Sequence, residues 1–351
     1  MTGAESVPTG VGSTGVGYAL TRAESVWTGP ERVVAQRTRV AVIGGGQNVE
    51  HEVSLASAAS ARTALDPERY EAVAFTIRRD GVWCDAAGLP FGTSPASSLA
   101  GALPVLARCE VVLPLLHGPL GEDGAIAALC ELAGLRYVGS PPRAGALAMD
   151  KWATKLVAEA VGVRTAPGRL VTAGDEVVFE RPVVVKPVAA GSSFGVRLVR
   201  QSADLRPALD AAFDHDDRVL VEHVVTGREI DIAILDTPTG GFLTGPPLEV
   251  VVTGDLFDTT TKYGGEAEFL VPAPLSAEES TALTTAAHRV YQALGCRGVA
   301  RVDFFLTASG PVLNEVNTMP GMTEASQVPK MFAAAGLPYP DLLDLLLRAA
   351  R

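Results

Sequence analysis

The sequence predicts an α/β protein that begins with a doubly wound parallel sheet and continues into α+β segments. Two observations lead to this fold class. Short apolar runs alternate with helix-like stretches over residues 38–139, which is typical of strand–helix–strand units in a parallel sheet. The 351 residues are 47% hydrophobic and include 36 glycines and 24 prolines, which suits two or three cores joined by many loops.

The composition also excludes several classes of protein. A net charge of −11 argues against nucleic acid as the main partner. The four cysteines, Cys84, Cys109, Cys130 and Cys296, form no CxxC pair, which predicts reduced thiols in the cytoplasm rather than disulfides or a zinc site. No apolar run approaches the roughly 18 residues of a membrane helix. Residues 1–37 lack the pattern of a secretion signal, and we expect a disordered tail or a start codon assigned too early.

The first elements should form the N-terminal sheet. Apolar runs predict strands at 39–44, 70–77 and 109–116, and composition predicts helices at about 53–65 and 125–133. Ligand sites of such sheets lie at the carboxyl ends of the strands, where Glu50 and His117 fall. A lone histidine is more often structural, but its place beside the Glu50 loop makes His117 a candidate.

Three glycines, Gly44-Gly45-Gly46, follow the first strand and suggest a dinucleotide-binding turn. The GxGxxG spacing fails, because Asn48, Val49 and Glu50 occupy the later positions. The second predicted strand also ends in Ile77-Arg78-Arg79, without an acid to bind a ribose. A glycine turn that lets the next helix approach the sheet is therefore the better interpretation.

The order of elements changes after Ser140-Pro141-Pro142, which predicts a domain boundary. Helices are expected at about 144–161, 277–294, 324–335 and 340–350, and strands at 182–187, 196–199, 218–225 and 229–235. A long connection at 252–270 carries Lys262 and Tyr263 between glycines.

Residues 298–317 predict a hairpin that brings four functional groups to one face. Side chains alternate along a strand, so Arg301 and Asp303 share one face, and Glu315 and Asn317 share another. If the two strands pair in the matching register, all four side chains converge.

That register depends on the turn. Pairing of Thr307 with Pro311 would place Asp303 opposite Glu315. Two carboxylates and the amide of Asn317 would then suit Mg²⁺ that bridges phosphates. The alternative is a surface hairpin with ordinary charge pairs.

A second candidate is the loop that follows Lys186-Pro187. The segment Gly191-Ser192-Ser193-Phe194-Gly195 offers backbone N–H groups and two hydroxyls to an anion, and Lys186 supplies charge. A flexible hairpin loop is the alternative. Lys151 and Lys262 are further candidates for phosphate binding, although either alone would fit a solvated surface.

The segment 222–229 has the character of a strand edge. Free backbone groups there would pair with an adenine, and a carboxylate such as Glu229 would bind ribose hydroxyls. The ordinary polarity of an edge strand explains the same residues equally well.

Taken together, these motifs resemble the D-alanine–D-alanine ligase family of ATP-grasp enzymes. The resemblance covers about residues 38–351, and the family's motifs occur in order: Gly45-Gly46 with Glu50-His51-Glu52-Val53-Ser54, His117-Gly118 with Gly121-Glu122-Asp123-Gly124, Met149-Asp150-Lys151, Lys186-Pro187 with Gly191-Ser192-Ser193, Lys262-Tyr263, Arg301-Val302-Asp303, and Glu315-Val316-Asn317 with Pro320-Gly321-Met322-Thr323.

This resemblance implies an ATP-grasp fold of three domains behind a tail at 1–37. They would be an N-terminal doubly wound domain at 38–139, a central domain at 140–222 and a C-terminal domain at 223–351. ATP would bind between the last two, under a lid at 252–270 that excludes water.

The family's site roles carry over to matching positions. Phosphates would be held by Lys151, Lys186, Lys262, Ser192 and Ser193; adenine and ribose by Glu222, Val225 and Glu229; and two Mg²⁺ ions, or Mn²⁺ in their place, by Asp303, Glu315 and Asn317. The first substrate's ammonium would be held by Glu50 and His117, with Ser192 and Tyr263 in the same network; the oxyanion by Arg301 and the N–H of Gly321; and the second substrate's carboxylate by Arg301 and Ser326, with Gln327 bordering that site.

The reaction that the resemblance implies has two steps. ATP phosphorylates the carboxylate of one D-alanine, and the amine of a second D-alanine attacks the acyl phosphate and expels phosphate. The dipeptide would serve cell-wall (peptidoglycan) precursors. A cytoplasmic homodimer that acts on small D-amino acids, with neither nucleic acid nor membrane as a partner, is expected.

Three departures from the family pattern are present. His223 replaces a lysine beside the adenine, residues 258–261 differ from the usual lid, and Gln327 replaces an apolar residue at the second substrate position. The Gln327 amide would either accept a hydrogen bond from a hydroxylated acceptor or face solvent. D-serine is therefore an alternative acceptor; D-lactate is less favoured because Lys262-Tyr263 is retained. A nucleotide-binding sensor without catalysis is the alternative from another class.

Overall fold

A computed structural model of the chain describes residues 37–251 and 268–351. Within these ranges the strands form three sheets, one of them largely parallel and two antiparallel. None of the helices described there is both long enough and apolar enough to cross a membrane. Lys262, Tyr263 and most of the predicted lid lie outside the described residues.

The first sheet has the parallel core that the sequence predicts. Its strands are β1 (Thr38–Gly45), β2 (Tyr70–Ile77), β3 (Trp83–Cys84) and β4 (Val111–Pro114). The order is β3-β2-β1-β4, with β1 parallel to both β2 and β4 and with β3 antiparallel at the edge. The predicted second strand is confirmed at its bounds, whereas the strand predicted at 109–116 is shorter.

Helices cover both faces of this sheet. They are α1 (His51–Ala64), α2 (Pro95–Leu106) and α3 (Ala125–Leu132). Val40 of β1 packs in one core with Ala58 of α1, while Ile43 packs in another with Ala102 of α2 and Ile126 of α3. Successive strand residues point to opposite faces, so the predicted doubly wound arrangement is confirmed.

The second sheet is antiparallel and has four strands. They are β5 (Gly168–Thr172), β6 (Val183–Pro187), β7 (Arg197–Val199) and β8 (Arg218–His223), in the order β5-β8-β6-β7. Helix α6 (Ser202–Phe213) packs Leu205 and Leu209 into its core. Val184 pairs with Glu222, so Lys186 and Glu222 share one face of neighbouring strands.

The helix predicted at 144–161 is two helices, and that prediction was wrong. They are α4 (Pro142–Met149) and α5 (Lys151–Ala160), which precede β5 in the chain. Asp150 between them is extended, and its side chain accepts a hydrogen bond from Ala153 N at 2.8 Å. An aspartate that caps a helix in this way starts a new helix, so Lys151 lies in a first turn.

The third sheet has six strands. They are β9 (Arg228–Asp236), β10 (Phe242–Thr244), β11 (Leu248–Val251), β12 (Glu268–Leu270), β13 (Val299–Thr307) and β14 (Gly310–Asn317), in the order β12-β11-β9-β13-β14 with β10 on β9. The remaining helices are α7 (Ala277–Leu294), α8 (Gln327–Ala334) and α9 (Tyr339–Ala349). The prediction for α7 is confirmed at both ends, and α8 begins three residues later than predicted.

The hairpin of β13 and β14 pairs Asp303 with Glu315 as predicted, but with a different turn. Thr307 pairs with Gly310, not with Pro311, so the assumed turn was wrong by one residue. The register then shifts between Asp303 and Phe304, which leaves Asn314 as the extra residue of a β-bulge. The two offsets cancel, and Asp303 lies opposite Glu315.

Candidate active site

A cavity of about 590 Å³ lies between the second sheet, formed by β5 to β8, and the six-stranded third sheet. Predicted site residues that line it are Lys151, Lys186, Ser193, Glu222, Val225, Glu229, Arg301, Asp303, Glu315 and Gln327. A more open depression of about 700 Å³ lies along α7, contains none of these residues, and therefore is not the candidate site. The structure thus brings together groups that the sequence assigned to nucleotide, metal and second substrate.

An acidic row crosses three neighbouring strands on this surface. Asp231 of β9 is in register with Asp303 of β13, which is in register with Glu315 of β14. Like charges directly opposite each other on a sheet are destabilising unless cations compensate them. Here Arg301 and Lys151 supply the compensation. Asp231 was not predicted, although it shares a strand face with Glu229.

Arg301 forms a bidentate ion pair with Asp303. Its Nε donates to Oδ1 and its Nη2 to Oδ2, both at 2.7 Å, and Asn317 Nδ2 donates to the same Oδ2 at 3.0 Å. Both partners of the pair are buried. Burial alone would lower the pKa of Arg301, but the charge and hydrogen bonds of Asp303 outweigh it and raise that pKa.

Gln327 is bonded at both ends of its amide, which the sequence did not predict. Oε1 accepts from Arg301 Nη1 and Nε2 donates to Asp231 Oδ2, each at 2.7 Å. The residue is the first of α8, next to Ser326. A Cβ on Gly321 would lie 3.2 Å from Ser326 Oγ, so these two predicted residues are also neighbours.

Glu222 lies between two lysines. Its Oε1 is 2.6 Å from Lys155 Nζ and its Oε2 is 2.6 Å from Lys186 Nζ, and all three residues are buried. Burial alone would raise the pKa of Glu222, but the charges and hydrogen bonds of Lys186 and Lys155 prevail and lower it. Lys155 was missed, although it lies one helical turn after Lys151 on the helix Lys151–Ala160.

Lys151 connects the glycine loop to the acidic row. Its Nζ donates to Ala190 O at 2.7 Å and lies 3.4 Å from Glu315 Oε2. Lys186 also reaches the bulge residue, with 3.4 Å from its Nζ to Asn314 Oδ1. Lys151 and Lys186, the two predicted phosphate-binding lysines among the described residues, therefore lie beside the hairpin that carries Glu315.

Glu50 lies where the N-terminal sheet meets the glycine loop. Its carboxylate is buried, and Ser192 Oγ donates a hydrogen bond to Oε1. A Cβ on Gly118 or Gly191 would come within 2.4 or 2.3 Å of Oε2, so both glycines are required by space. Among the described residues, Oε2 has no hydrogen-bond partner. An anionic oxygen enclosed in this way is suited to a cationic ligand.

The two serines of the glycine loop have positive φ angles, 50° for Ser192 and 58° for Ser193. Residues with side chains rarely adopt this conformation, which costs of order 1–3 kcal/mol and is typical of ligand-binding loops. The contact of Ser192 with Glu50 supports a binding loop over the flexible hairpin that the sequence left open.

His117 is buried, and both ring nitrogens have protein partners. Nδ1 lies 2.8 Å from the carbonyl oxygen of Met319, so it carries a proton and donates. Nε2 lies 2.9 Å from Ser57 Oγ. The imidazole thereby connects the strand end after β4 to the segment before Gly321. Its contact with a substrate stays a prediction.

Glu122 was part of a predicted motif but was not singled out. Its Oε2 accepts from Gly118 N at 2.8 Å and its Oε1 from Met319 N at 3.0 Å. Burial of the carboxyl and then the charge of Glu50 raise the pKa of Glu122 to about 8, although part of the residue is exposed.

The donor set of Asp303, Glu315 and Asn317 fits Mg²⁺. All three offer oxygen atoms, and they lie on adjacent strands of one surface. Across residues 37–251 and 268–351, no group of three or more histidines, cysteines and acids forms an all-protein metal site. Mg²⁺ is usually bound by one or two carboxylates together with substrate phosphates, so a donor set of this size is the expected one.

Comparison with known proteins identifies the family. Residues 39–140 match the model "D-ala D-ala ligase N-terminus", and residues 168–348 match "D-ala D-ala ligase C-terminus". The D-alanine--D-alanine ligase of Mycobacterium sp. (strain KMS) is 41% identical, over 90% of this chain and 96% of that protein.

Two solved structures are similar over nearly the whole described fold. The VanG D-Ala:D-Ser ligase of Enterococcus faecalis has a TM-score of 0.75 and 31% identity, over 89% of this chain and 98% of that one. The D-alanine--D-alanine ligase of Bacillus anthracis complexed with ATP has a TM-score of 0.74 and 28% identity, over 89% and 97%. The resemblance found in the sequence is confirmed, and the chain belongs to the D-alanine–D-alanine ligase family of ATP-grasp enzymes.

Proposed function

We propose that this chain is an ATP- and Mg²⁺-dependent ligase that joins two D-alanines into D-alanyl-D-alanine for peptidoglycan precursors. One observation supports it above the others: Lys186 and the paired acids Asp303 and Glu315 line the same cavity. A ligase needs this combination, because it must neutralise a triphosphate while a carboxylate attacks it. Membership of the family and 41% identity to a curated ligase agree with this activity.

ATP would occupy the cavity between the two antiparallel sheets, which we assign to the central (140–222) and C-terminal (223–351) domains. Lys151 and Lys186 would bind phosphate oxygens, joined by backbone N–H groups at Ser192 and Ser193. The adenine and ribose would contact the wall formed by Glu222, Val225 and Glu229. Lys262 is assigned to the phosphates from its sequence motif alone.

Two Mg²⁺ ions, or Mn²⁺ in their place, would be held by Asp303, Glu315 and Asn317 together with phosphate oxygens. Bound there, the metal supplies positive charge that lets an anionic carboxylate approach the γ-phosphate. The protein's own contribution is to hold the two carboxylates in register through the bulge at Asn314.

The first D-alanine would place its ammonium on Glu50. The enclosed Oε2 supports this, because an ammonium donates the hydrogen bond that no described residue supplies. Ser192 holds the other oxygen and so fixes the carboxylate. His117 would orient the neighbouring loop, and Tyr263 would complete the network. The substrate's carboxylate attacks the γ-phosphorus, which gives an acyl phosphate and ADP.

The second D-alanine would bind through its carboxylate to Arg301 and Ser326. Its free amine attacks the acyl carbon, the bond to phosphate breaks, and the amine proton leaves as the amide forms. The guanidinium of Arg301 and the N–H of Gly321 would stabilise the oxyanion. Exclusion of water is required, because water would otherwise hydrolyse the acyl phosphate.

Incubation with ATP, Mg²⁺ and D-alanine tests this function. We expect phosphate and D-alanyl-D-alanine in equal amounts, and loss of most activity in Lys186→Ala. Arg206→Gln is the control, since Arg206 is exposed on the helix Ser202–Phe213 and pairs only with Asp210 among the described acids. An intact protein that forms neither product would contradict the proposal and would favour the sensor without catalysis.

D-serine is the second candidate acceptor, supported by 31% identity to a D-Ala:D-Ser ligase. D-lactate is less favoured. A panel of D-amino and D-hydroxy acids, scored by the ratio of kcat/KM values, separates the three.

We further propose a cytoplasmic homodimer, because ATP and D-amino acid precursors are cytoplasmic. Exposed apolar residues such as Leu89 and Leu132 would suit a contact between subunits. Sedimentation velocity of the purified protein gives the oligomeric state, and cell fractionation gives the location.

A further inference from the structure

We propose that Asp231 and Gln327 are positioning residues that hold the guanidinium of Arg301 at the second-substrate position. This inference rests on the proposed function and assigns a role to two residues that lie outside the motifs recognised in the sequence. It also replaces the expectation that the Gln327 amide reads the acceptor's hydroxyl.

Every nitrogen of the Arg301 guanidinium has a protein partner. Nε and Nη2 donate to Asp303, and Nη1 donates to Gln327 Oε1 at 2.7 Å. A planar guanidinium with bonds along two edges is fixed in orientation as well as in position. Without the Gln327 bond, only Asp303 would hold the guanidinium, along one of its edges.

Gln327 is itself anchored to the sheet. Its Nε2 donates to Asp231 Oδ2 at 2.7 Å, and Asp231 is 1% exposed in the middle of β9. Asp231 Oδ2 also lies 3.5 Å from Arg301 Nε. The Gln327 amide therefore links the guanidinium of Arg301 to Asp231 on β9, the central strand of the sheet.

A neutral amide serves this purpose better than a second carboxylate. Asp303 already balances the charge of Arg301, and an acid in direct contact with Nη1 would weaken the attraction for a substrate carboxylate. Gln327 supplies an oxygen without a charge. The hydrogen bond from Arg301 to Gln327 would also remain if a metal ion bound Asp303, because it does not involve that residue.

The same contacts argue against a role in reading the acceptor. Oε1 already accepts from Arg301 and Nε2 donates to Asp231, so the amide cannot turn toward a hydroxyl of D-serine without breaking a bond to a charged side chain. Acceptor discrimination should therefore change little when Gln327 is replaced, while the use of every acceptor should fall.

The test compares Gln327→Leu with the wild-type protein and with Glu324→Gln, an exposed neighbour that serves as the control. We expect kcat/KM for the second D-alanine to fall roughly tenfold, with the KM for ATP and for the first D-alanine within about twofold. The ratio of D-serine to D-alanine use should stay constant. A role that is merely structural would move all of these constants and the Tm together.

Asp231→Ala and the double variant Asp231→Ala/Gln327→Leu test whether the two residues act as one unit. Coupled residues predict that the double variant loses no more activity than either single variant. Multiplicative losses would overturn the inference, and so would a fall in D-serine use with D-alanine use unchanged.

A readout without catalysis separates this inference from the proposed function. In ¹⁵N-arginine spectra, with the Arg301 signals identified by Arg301→Lys, we expect a slowly exchanging Nη1–H signal that is broadened or lost in Gln327→Leu. An unchanged signal would overturn the positioning role. A wild-type protein that shows this difference but forms no dipeptide would contradict only the proposed function.

Discussion

Lys155 and Glu222 form a buried ion pair, with 2.6 Å between Nζ and Oε1, and Glu222 lines the cavity that we assign to ATP. The second oxygen of Glu222 is bound by Lys186, so one carboxylate is shared by two ammonium groups. Lys155 Nζ also donates to the carbonyl oxygen of Ala166. If Lys186 turns toward a phosphate, Glu222 keeps a counter-ion.

Lys155→Met should therefore weaken nucleotide binding. Glu222 would have only Lys186 as its partner. Movement of Lys186 to a phosphate would then leave the buried Glu222 carboxylate without a counter-ion. We expect the Kd of a non-hydrolysable ATP analogue, measured by titration calorimetry, to rise by about tenfold. Lys155→Arg, which keeps the charge, should retain most of the affinity.

The double variant Lys155→Met/Glu222→Gln makes this prediction sharper. Removal of the carboxylate frees Lys186, so ATP affinity should exceed that of Lys155→Met, although it should stay below the wild-type value because Glu222 is also assigned to the adenine and ribose. An unchanged Kd in Lys155→Met would show that Lys155 has no part in nucleotide binding, and additive losses in the double variant would show that Lys155 does not act through Glu222.

Gly191→Ala should impair binding of the first substrate. A Cβ there would lie 2.3 Å from Glu50 Oε2, so the carboxylate would have to move. Overpacking of this kind costs typically about 1–3 kcal/mol, and we expect the KM of the first D-alanine to rise by roughly tenfold or more. Initial rates at varied D-alanine give this constant.

Gly118→Ala is the matched comparison, because its Cβ would meet the same oxygen at 2.4 Å. Gly118 also has a φ of 71°, so its substitution adds backbone strain. Gly118→Ala should show the same change in KM together with a lower Tm. If neither variant alters this KM, Glu50 does not bind the ammonium.

Glu315→Gln should raise the requirement for Mg²⁺. Asp303 and Glu315 are the two carboxylates that we assign to the metal, so Glu315→Gln would remove one of the two negative charges offered to the ion. We expect the half-saturating Mg²⁺ concentration to rise by about tenfold. Activity measured across a magnesium titration checks this, and Glu324→Gln should give the wild-type curve.

The sequence could predict elements whose pattern is local. Strand β2 and helix α7 have continuous periodicity and clear ends, so both were predicted at their bounds. Helix α2 was missed although Ser94 caps it and Pro95 begins it, because its own residues include a second proline at Pro104. The break at Asp150 was missed because the apolar pattern continues across it.

Contacts between distant residues were harder to predict. The pairing of Asp303 with Glu315 was correct only because the turn and the bulge at Asn314 offset each other. Gln327 was noticed as unusual, but its partner Asp231 lies 96 residues away on another strand. Periodicity carries no information about such a contact, since it depends on how the strands are ordered in the sheet.

Glu122→Gln should change how stability depends on pH. Burial and the charge of Glu50 raise the pKa of Glu122 to about 8, above its ordinary value of 4.5. The folded protein then holds a proton that the unfolded chain has released, so this contribution is fully present below about pH 4.5 and is lost as the pH rises through 8. The wild-type free energy of unfolding should therefore fall, relative to Glu122→Gln, between pH 5 and about 8.

Urea unfolding at several pH values across this interval measures the difference. Glutamine keeps the shape of the side chain and still accepts an N–H bond with its amide oxygen, so the folded state should persist in the variant. Glu131→Gln is the control, because Glu131 lies on α3 and its carboxylate accepts its described hydrogen bond from Tyr137, not from Gly118 or Met319. Wild-type and Glu122→Gln curves that run parallel would mean that Glu122 is already ionised at pH 5, held so by the N–H groups of Gly118 and Met319.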